Sequence, residues 1–447
     1  MDTKSLEMLE FPKVREIIAG YTSFPASHAL ARELLPSSDP EKVELWLQQC
    51  SEARVLLATQ PDFNVGAIAD VRALAGLAQR GKMLDTKDLS LVGSALTSVR
   101  LLKNSLSRVS GDFPLLWKIA HDIADLREVE KEIDSAISPE GELRDSASAE
   151  LQSIRHRMQR RRQEIIHQLE NIIHSPGGLK VIQEPIVTER EGRYVIPVKV
   201  ESKHDFKGIV HDVSNTGATV FIEPFESIEA GNELRQLETE EKHEIERILT
   251  QLSNSVGAQA PEISAAIALS AEIDLIVAKA RYARRSGANE PEIAKSGAGI
   301  QTVLKLVDAR HPLLGGKAVP LNVELGKDFS VLVITGPNTG GKTVALKTIG
   351  LLSLMVLAGL PIPAKETSVI PVFDNVFVDI GDEQSIEQTM STFSWHITNI
   401  THIIHHSTDR SFVALDELGT STDPAEGSAL ARAILLNLVK KNLMAVA

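Results

Sequence analysis

The stretch SVLVITGPNTGGKTVALKTIGLLSLM, from Ser330 to Met355, leaves the chain around it few ways to fold. Ser330 to Thr335 is an apolar β-run, Gly336 to Thr343 is the glycine loop GPNTGGKT, and an apolar pattern at helical spacing follows. Strand, glycine loop and helix in that order are the setting in which such a loop cradles phosphate. Glycines let consecutive backbone amides turn inward around an anion, and the helix behind them presents its positive end. Gly336, Pro337, Asn338, Thr339, Gly340 and Gly341 are therefore the expected phosphate cradle. Lys342 is expected to reach the β- and γ-phosphate oxygens of a nucleoside triphosphate, and Thr343 to place its hydroxyl on Mg²⁺.

Further on, FVALDELGTSTDPAEGSALA supplies a second apolar strand, Phe412 to Leu415, ending in Asp416-Glu417. An acidic pair at a strand end is by itself a common solvated feature. Beside a phosphate loop it acquires a purpose. Asp416 is expected to hold the metal through its water shell, and Glu417 to orient or deprotonate an attacking water close to the γ-phosphate.

The remainder of the chain is mostly helical in pattern. From Leu6 to about Leu126 apolar residues recur at three- and four-residue spacing, with breaks at Pro36 to Pro40, Gln60 to Gly66 and Ser110 to Pro114. A second segment, Leu143 to His174, has neither Pro nor Gly, and Leu151, Ile154, Met158, Ile165 and Ile172 fall near a heptad seam. As one helix it makes a rod on the order of 45 Å long. A third pattern runs from Ser227 to Val256, with only Gly231 against it. Between these two, Lys180 to Phe225 changes period: GRYVIPVKVES and ATVFIEP are rich in β-branched residues and separated by turn signals at Glu191-Gly192 and Asn215-Thr216-Gly217. Two long antiparallel arms bearing a small β module are expected. A helix from Ile263 to Arg285, a polar linker from Ser286 to Gly299, and an α/β region from Ile300 complete the plan.

Bulk properties narrow the class. Aromatic residues make up 4% of the 447, which suits helices packed with Leu, Ile and Ala better than a β-sandwich. One cysteine, Cys50, excludes an intramolecular disulfide and points to a reducing cytoplasm. The opening residues lack the basic and apolar regions of a signal peptide, and the longest apolar run, Ile349 to Ala364, is too short and too broken by Gly and Pro to span a bilayer. The formal charge of −13 is the wrong sign for coating nucleic acid, although RHRMQRRR, Arg155 to Arg162, is a local basic stripe. That stripe either contacts phosphates or pairs with acids such as Glu238 and Glu240 on the opposite arm. His396, His402, His405 and His406 lie on one predicted helix without an H-E-x-x-H acid, so solvated or capping roles are expected of them.

GPNTGGKT, TMSTFSWHITNI (Thr389 to Ile400) and DELGTSTDPAEG resemble the MutS ATPases, and the lead-in DARHPLL (Asp308 to Leu314) is similar to that family's entry to its nucleotide domain. LEFPKVREIIAGY, EGRYVIPVK and HDVSNTGATVFIEP resemble the second bacterial MutS subfamily. The resemblance covers essentially the whole chain. It implies a multidomain α plus α/β protein: a helical core at 1–128, arms at 129–262 with a β clamp module at 180–225, a returning helix and linker at 263–299, and an ABC-type ATPase domain at 300–447. It implies ATP and Mg²⁺ as cofactors and a homodimer formed through the ATPase domains. In such a dimer Ser391 approaches the partner's γ-phosphate, Asn338 senses the γ-phosphate or its water, and Asp423 lies in a loop that crosses to the other subunit. His311 falls near the expected place of the base.

Departures from the family pattern are also present. Trp395 stands where a small residue is expected, and the chain stops at NLMAVA without the family's Thr-Thr-His element, dimerising tail and Smr nuclease domain, so a truncated chain is expected and no nuclease chemistry is assigned to it. Phe221-Ile222-Glu223 has the form of the mismatch-repair Phe-x-Glu wedge, yet it lies within a predicted strand. Two functions follow from the resemblance: an ATP-driven clamp on branched or recombining DNA, or a ribosome-associated factor that splits collided ribosomes. Neither involves a membrane.

Overall fold

The computed structural model describes residues 1–294, 302–336, 341–381, 392–419 and 423–447. Its helices and strands run α1 (Thr3–Met8), α2 (Phe11–Ala19), α3 (Pro25–Arg32), α4 (Pro40–Thr59), α5 (Arg72–Gln79), α6 (Thr86–Ser107), α7 (Pro114–His121), α8 (Arg127–Ala136), α9 (Ala149–Ile173) and α10 (Gly178–Val181). Strands β1 (Thr188–Arg190), β2 (Arg193–Lys199), β3 (Gly208–Val213) and β4 (Thr219–Pro224) follow, then α11 (Ile228–Ala258), α12 (Ala260–Ser286), β5 (Glu292–Ala294), β6 (Leu304–Ala309), β7 (Leu321–Leu325) and β8 (Val331–Leu332). The chain ends with α13 (Lys342–Leu357), β9 (Val369–Pro371), β10 (Val376–Asp379), α14 (Thr392–His406), β11 (Phe412–Leu415), α15 (Pro424–Lys440) and β12 (Met444–Val446). None of the described helices is long and apolar enough to cross a membrane.

Two compact units emerge, and they do not follow the consecutive domains expected from the sequence. Met1–Asp70, Ser98–Asp125 and Ser264–Ala447 make one; Val71–Thr97 and Leu126–Ile263 make the other. The N-terminal helices thus share a unit with the α/β region because their apolar faces are built into its core.

In that first unit, β10, β11, β12 and β8 form a parallel sheet in that order. Alternation sorts its side chains: Val376, Val378, Phe412, Ala414 and Val446 face one cluster, Phe377, Val413, Leu415 and Ala445 the other. The first cluster contains α13, whose residues from Ile349 to Leu357 are buried without a break. A helix apolar all round belongs in an interior, so the run from Ile349 that is too short for a bilayer becomes the central core helix. Leu6, Leu9, Phe11, Val14 and Ile18 pack into the same cluster. A Cβ on Gly350 would come within 2.9 Å of the Leu9 methyls, so a side chain there would push Leu9 aside. A second sheet, β5-β9-β6-β7, lies in the same unit. Its β5 falls inside the expected linker, where Glu292–Ala294 pairs in parallel with Val369–Pro371; even three residues hold as a strand when a neighbour accepts their amides. The strand expected from Ser330 to Thr335 is confined to Val331–Leu332, although the Ile334 amide still bonds the Ala447 carbonyl at 2.7 Å.

The second unit is built on α9 and α11. Their charged pairs run in opposite directions along the two sequences, Arg155 with Glu241, Arg157 with Glu240 and Arg161 with Glu233, so the helices are antiparallel. Ser148 caps α9, accepting the Leu151 amide at 3.0 Å while donating to Glu244 of α11 at 2.6 Å. The strands β1-β2-β4-β3 form an antiparallel sheet. Glu191 and Gly192, with φ of 49° and 70°, make the tight turn between β1 and β2. Ile196, Val198, Val220 and Ile222 of the sheet pack with Ile165, Leu169 and Ile173 of α9 and Leu234 of α11. Gly231 has a reason to interrupt the α11 pattern: a Cβ there would stand 2.9 Å from a Glu223 carboxylate oxygen.

Candidate active site

Ligands of open parallel sheets bind outside the carboxyl ends of the strands. Here that edge gathers the end of β10, the end of β11 and the start of α13. Lys342 is the first residue of α13, preceded by Gly341 at φ 82° in the left-handed region. Thr343 follows it, and its hydroxyl donates to the Asp416 carboxylate at 2.6 Å. The two sequence motifs, read separately, therefore meet. Asp416 is buried and Glu417, the next residue, is exposed. Glu417 adopts φ 53°, a conformation uncommon outside glycine, and its amide donates to the Asp416 carboxylate at 3.1 Å. That kink separates a carboxylate turned into the protein from one turned toward solvent.

The donor set suits a hard cation. Oxygen ligands about 2.1 Å from a magnesium ion and at right angles stand about 3 Å apart, so a hydroxyl and a carboxylate this close are able to share one. Gly336 is described, with φ 151°; Pro337, Asn338, Thr339, Gly340 and Ser391 lie outside the described residues. Asp423 caps α15, accepting the amides of Ala425 at 3.0 Å and Glu426 at 3.4 Å. Gly419, at φ 78°, and Gly427 are in backbone contact: a Cβ on Gly419 would fall 2.3 Å from the Gly427 carbonyl oxygen. Only glycine at both positions lets the loop after Glu417 close onto α15. His311 is buried, accepts the Leu313 amide at 3.4 Å in a turn, and has its pKa lowered chiefly by burial.

Several residues carry roles that the sequence pattern does not show. Asp379, at the end of β10 and 1% exposed, accepts from His396 Nδ1 at 2.8 Å and from Asn399 Nδ2 at 2.7 Å. This corrects the expectation for His396, which is paired with a buried acid because α14 packs on β10. His402 and His406 stack with ring centroids 4.1 Å apart, and no cluster of three or more candidate metal ligands occurs among the described residues. The basic stripe is largely neutralised: Arg155, Arg157 and Arg161 pair with acids, mainly Glu233, Glu240 and Glu241 of α11. Arg160 and Arg162 carry no ion pair among the described residues. Phe221 to Glu223 lie in β4, where the buried Glu223 accepts from Arg193 at 3.1 Å and pairs with His211 at 2.7 Å.

Comparison with known proteins adds the lineage. Residues 332–446 match the family model of MutS domain V. Over 98% of its length the chain is 44% identical to the endonuclease MutS2 of Pelotomaculum thermopropionicum. The chain belongs to the MutS family. It is also 43% identical to endonuclease MutS2 of Geobacillus sp. strain WCH70 over 97% of its length, and 42% identical to that of Symbiobacterium thermophilum over all of it. It spans 55% of the first two MutS2 proteins and 56% of the third, about half the length of these relatives. The matched segment contains α13, β10, α14, β11 and α15, and with them GPNTGGKT, TMSTFSWHITNI and DELGTSTDPAEG.

Proposed function

We propose that this chain binds ATP with Mg²⁺ and hydrolyses it as the motor of a MutS-type dimeric clamp on branched or recombining DNA. The observation that carries the reading is the Thr343 hydroxyl on the Asp416 carboxylate at 2.6 Å, which joins the glycine-loop helix to the acidic strand end. In this reading Gly336 to Gly341 cradle the phosphates, Lys342 neutralises the β- and γ-phosphate oxygens, and Thr343 and Asp416 hold the Mg²⁺. The ion supplies charge neutralisation on the triphosphate. Glu417, turned to solvent beside Asp416, orients and activates the attacking water. Asn338 and, across the dimer, Ser391 complete the γ-phosphate contacts, and Asp423 caps the helix that follows the crossing loop.

The antiparallel α9 and α11 with their β module serve as the arms and clamp. Substrate choice rests on kinship: the relatives carry the name endonuclease, which supports DNA as the target. The tied-up arginines of α9 argue against that helix as the main phosphate-binding surface, leaving Arg160 and Arg162 as its available cations. Two variants of the whole protein test the reading. Lys342→Ala loses ATP binding, measured by titration with a fluorescent ATP analogue. Glu417→Gln still binds but turns over about 100-fold or more slowly in a steady-state phosphate-release assay. Wild-type turnover in Glu417→Gln removes it from the water-activating role. Binding of the same protein to Holliday junctions, duplexes and ribosomes at matched salt tests the target, and preferential ribosome binding overturns the DNA reading.

A further inference from the structure

The sheet edge holds two neighbouring carboxylates, and only one of them meets Thr343. Asp379 and Leu415 are register partners, and the Asp416 amide donates to the Asp379 carbonyl at 2.8 Å. The backbone orientation of Asp416 is thus set by the residue at the end of the adjacent strand. Asp379 in turn has its carboxylate shut away from water, a position tolerated only when its oxygens are bonded.

Those bonds come from α14. His396 Nδ1 donates to Asp379 Oδ2, and Asn399 Nδ2 donates to Oδ1; the two donors are one turn apart on the same helix face. Asn399 Nδ2 also reaches the Val378 carbonyl at 3.2 Å. The His396 ring packs against the backbone at Gly381, where a Cβ would stand 3.0 Å from its Cε1. The network then continues into the first helix of the chain. Lys4 Nζ donates to Asn399 Oδ1 at 2.9 Å, and Ser5 Oγ, itself donating to Asp2 at 2.8 Å, accepts the Val378 amide at 3.1 Å. Burial lowers the Lys4 pKa against the opposing pull of Asp379 and Asp2.

We propose that His396 and Asn399 are positioning residues for the metal site, clamping Asp379 so that its carbonyl orients Asp416 toward the ion, and that Lys4 braces this clamp from the N-terminal helix. The proposal rests on the reading of Thr343 and Asp416 as the Mg²⁺ ligands. Removing the outer groups that orient a metal ligand typically costs about 10- to 100-fold in metal affinity or activity. A displacement of even 1 Å at such a site is costly to the chemistry it serves. The helix that begins beside Ser391 and the strand that ends beside Asp416 are, on this account, one mechanical piece.

The test uses the whole protein and reads metal binding rather than turnover alone. A fluorescent ATP analogue is titrated in EDTA and then across a Mg²⁺ series, and amide hydrogen exchange is followed in the 412–418 segment. His396→Ala is expected to leave affinity in EDTA unchanged and to raise the half-saturating Mg²⁺ about ten-fold. Exchange at Asp416 accelerates while Phe412 to Ala414 stay protected. His396→Asn, which keeps a donor near the Nδ1 position, restores most of the Mg²⁺ affinity; Lys4→Met produces a smaller rise in the same direction. Should His396→Ala fail to fold, Asp379→Asn, equal in shape and lacking the charge, is expected to give the same Mg²⁺ shift. Unchanged Mg²⁺ dependence in the folded His396→Ala or Asp379→Asn protein overturns the proposal, as does failure of His396→Asn to restore it. Thr343→Ala separates the two levels: if it too leaves the Mg²⁺ dependence untouched, the metal-site reading falls and this proposal with it. If Thr343→Ala shifts the dependence and His396→Ala does not, only the clamp is lost.

Discussion

Helix α13 and the α9–α11 pair are held in place by different physics. Along α13 nearly every side chain beyond the first turn is buried, and the helix meets apolar neighbours in all directions. Along α9 only Leu151, Ile154, Ile165, Leu169 and Ile173 are buried, a narrow seam flanked by arginine–glutamate pairs that stand partly in solvent. Burial of apolar area contributes roughly 25 cal/mol per Å², whereas exposed ion pairs contribute about 0–1 kcal/mol each. The same secondary structure is therefore deeply anchored in one place and lightly held in the other.

Three substitutions sharpen or break this contrast. The largest effect belongs to Leu352→Ala in α13: its side chain is fully buried, and the cavity is expected to cost about 3–5 kcal/mol in chemical denaturation followed by far-ultraviolet circular dichroism. A loss below about 1 kcal/mol would mean that the α13 core is loosely packed and the contrast false. Next comes Glu244→Gln in α11. The Arg247 guanidinium, aided by the Ser148 hydroxyl and opposed by burial, holds the Glu244 carboxyl down to about 2 from its ordinary 4.5. A depressed acid stabilises the fold above its unfolded pKa and loses that contribution as pH falls toward the folded value. The variant is therefore expected to melt about 2–4 °C lower at pH 7, with the difference shrinking as pH drops from 4.5 toward 2. A pH-independent difference would assign the effect to packing. The smallest effect is expected of Arg157→Gln, whose 3.5 Å pair with Glu240 is open to solvent. Its unfolding free energy should change by less than about 0.5 kcal/mol, and less still at high salt.

How far the sequence discloses this molecule depends on the distance over which each feature is encoded. GPNTGGKT and ALDE are local strings whose residue types have few other uses; among the described residues Lys342 opens α13 and Asp416 follows the last residue of β11. The switch to β-branched residues between Lys180 and Phe225 is equally local, and the antiparallel sheet lies where that change of period is read. The register between α9 and α11 is not local: of the acids expected to meet the basic stripe, Glu240 does so, while Glu233 and Glu241 take Arg161 and Arg155. The Asp379–His396 pair escapes a linear reading because an aspartate at a strand end and a histidine in a helix are each commonplace. Only packing of α14 on β10 makes them partners. The unit boundaries were the least legible of all, since Lys4 bonds Asn399 across 395 positions of sequence and nothing in Leu6, Leu9 or Phe11 names the helix they will touch.

That last contact bears on how the protein is made. Leu9 is synthesised long before Gly350, the residue it packs against, and at about 5–20 residues per second the interval is roughly a quarter of a minute to a minute. Throughout that time Leu6, Leu9 and Phe11 remain in the nascent chain with near neighbours such as Val14 and Ile18 already made but the α13 and β10 part of their apolar cluster not yet translated. A holding chaperone, or a temporary nest among the helices that emerge next, has a defined client in those three side chains.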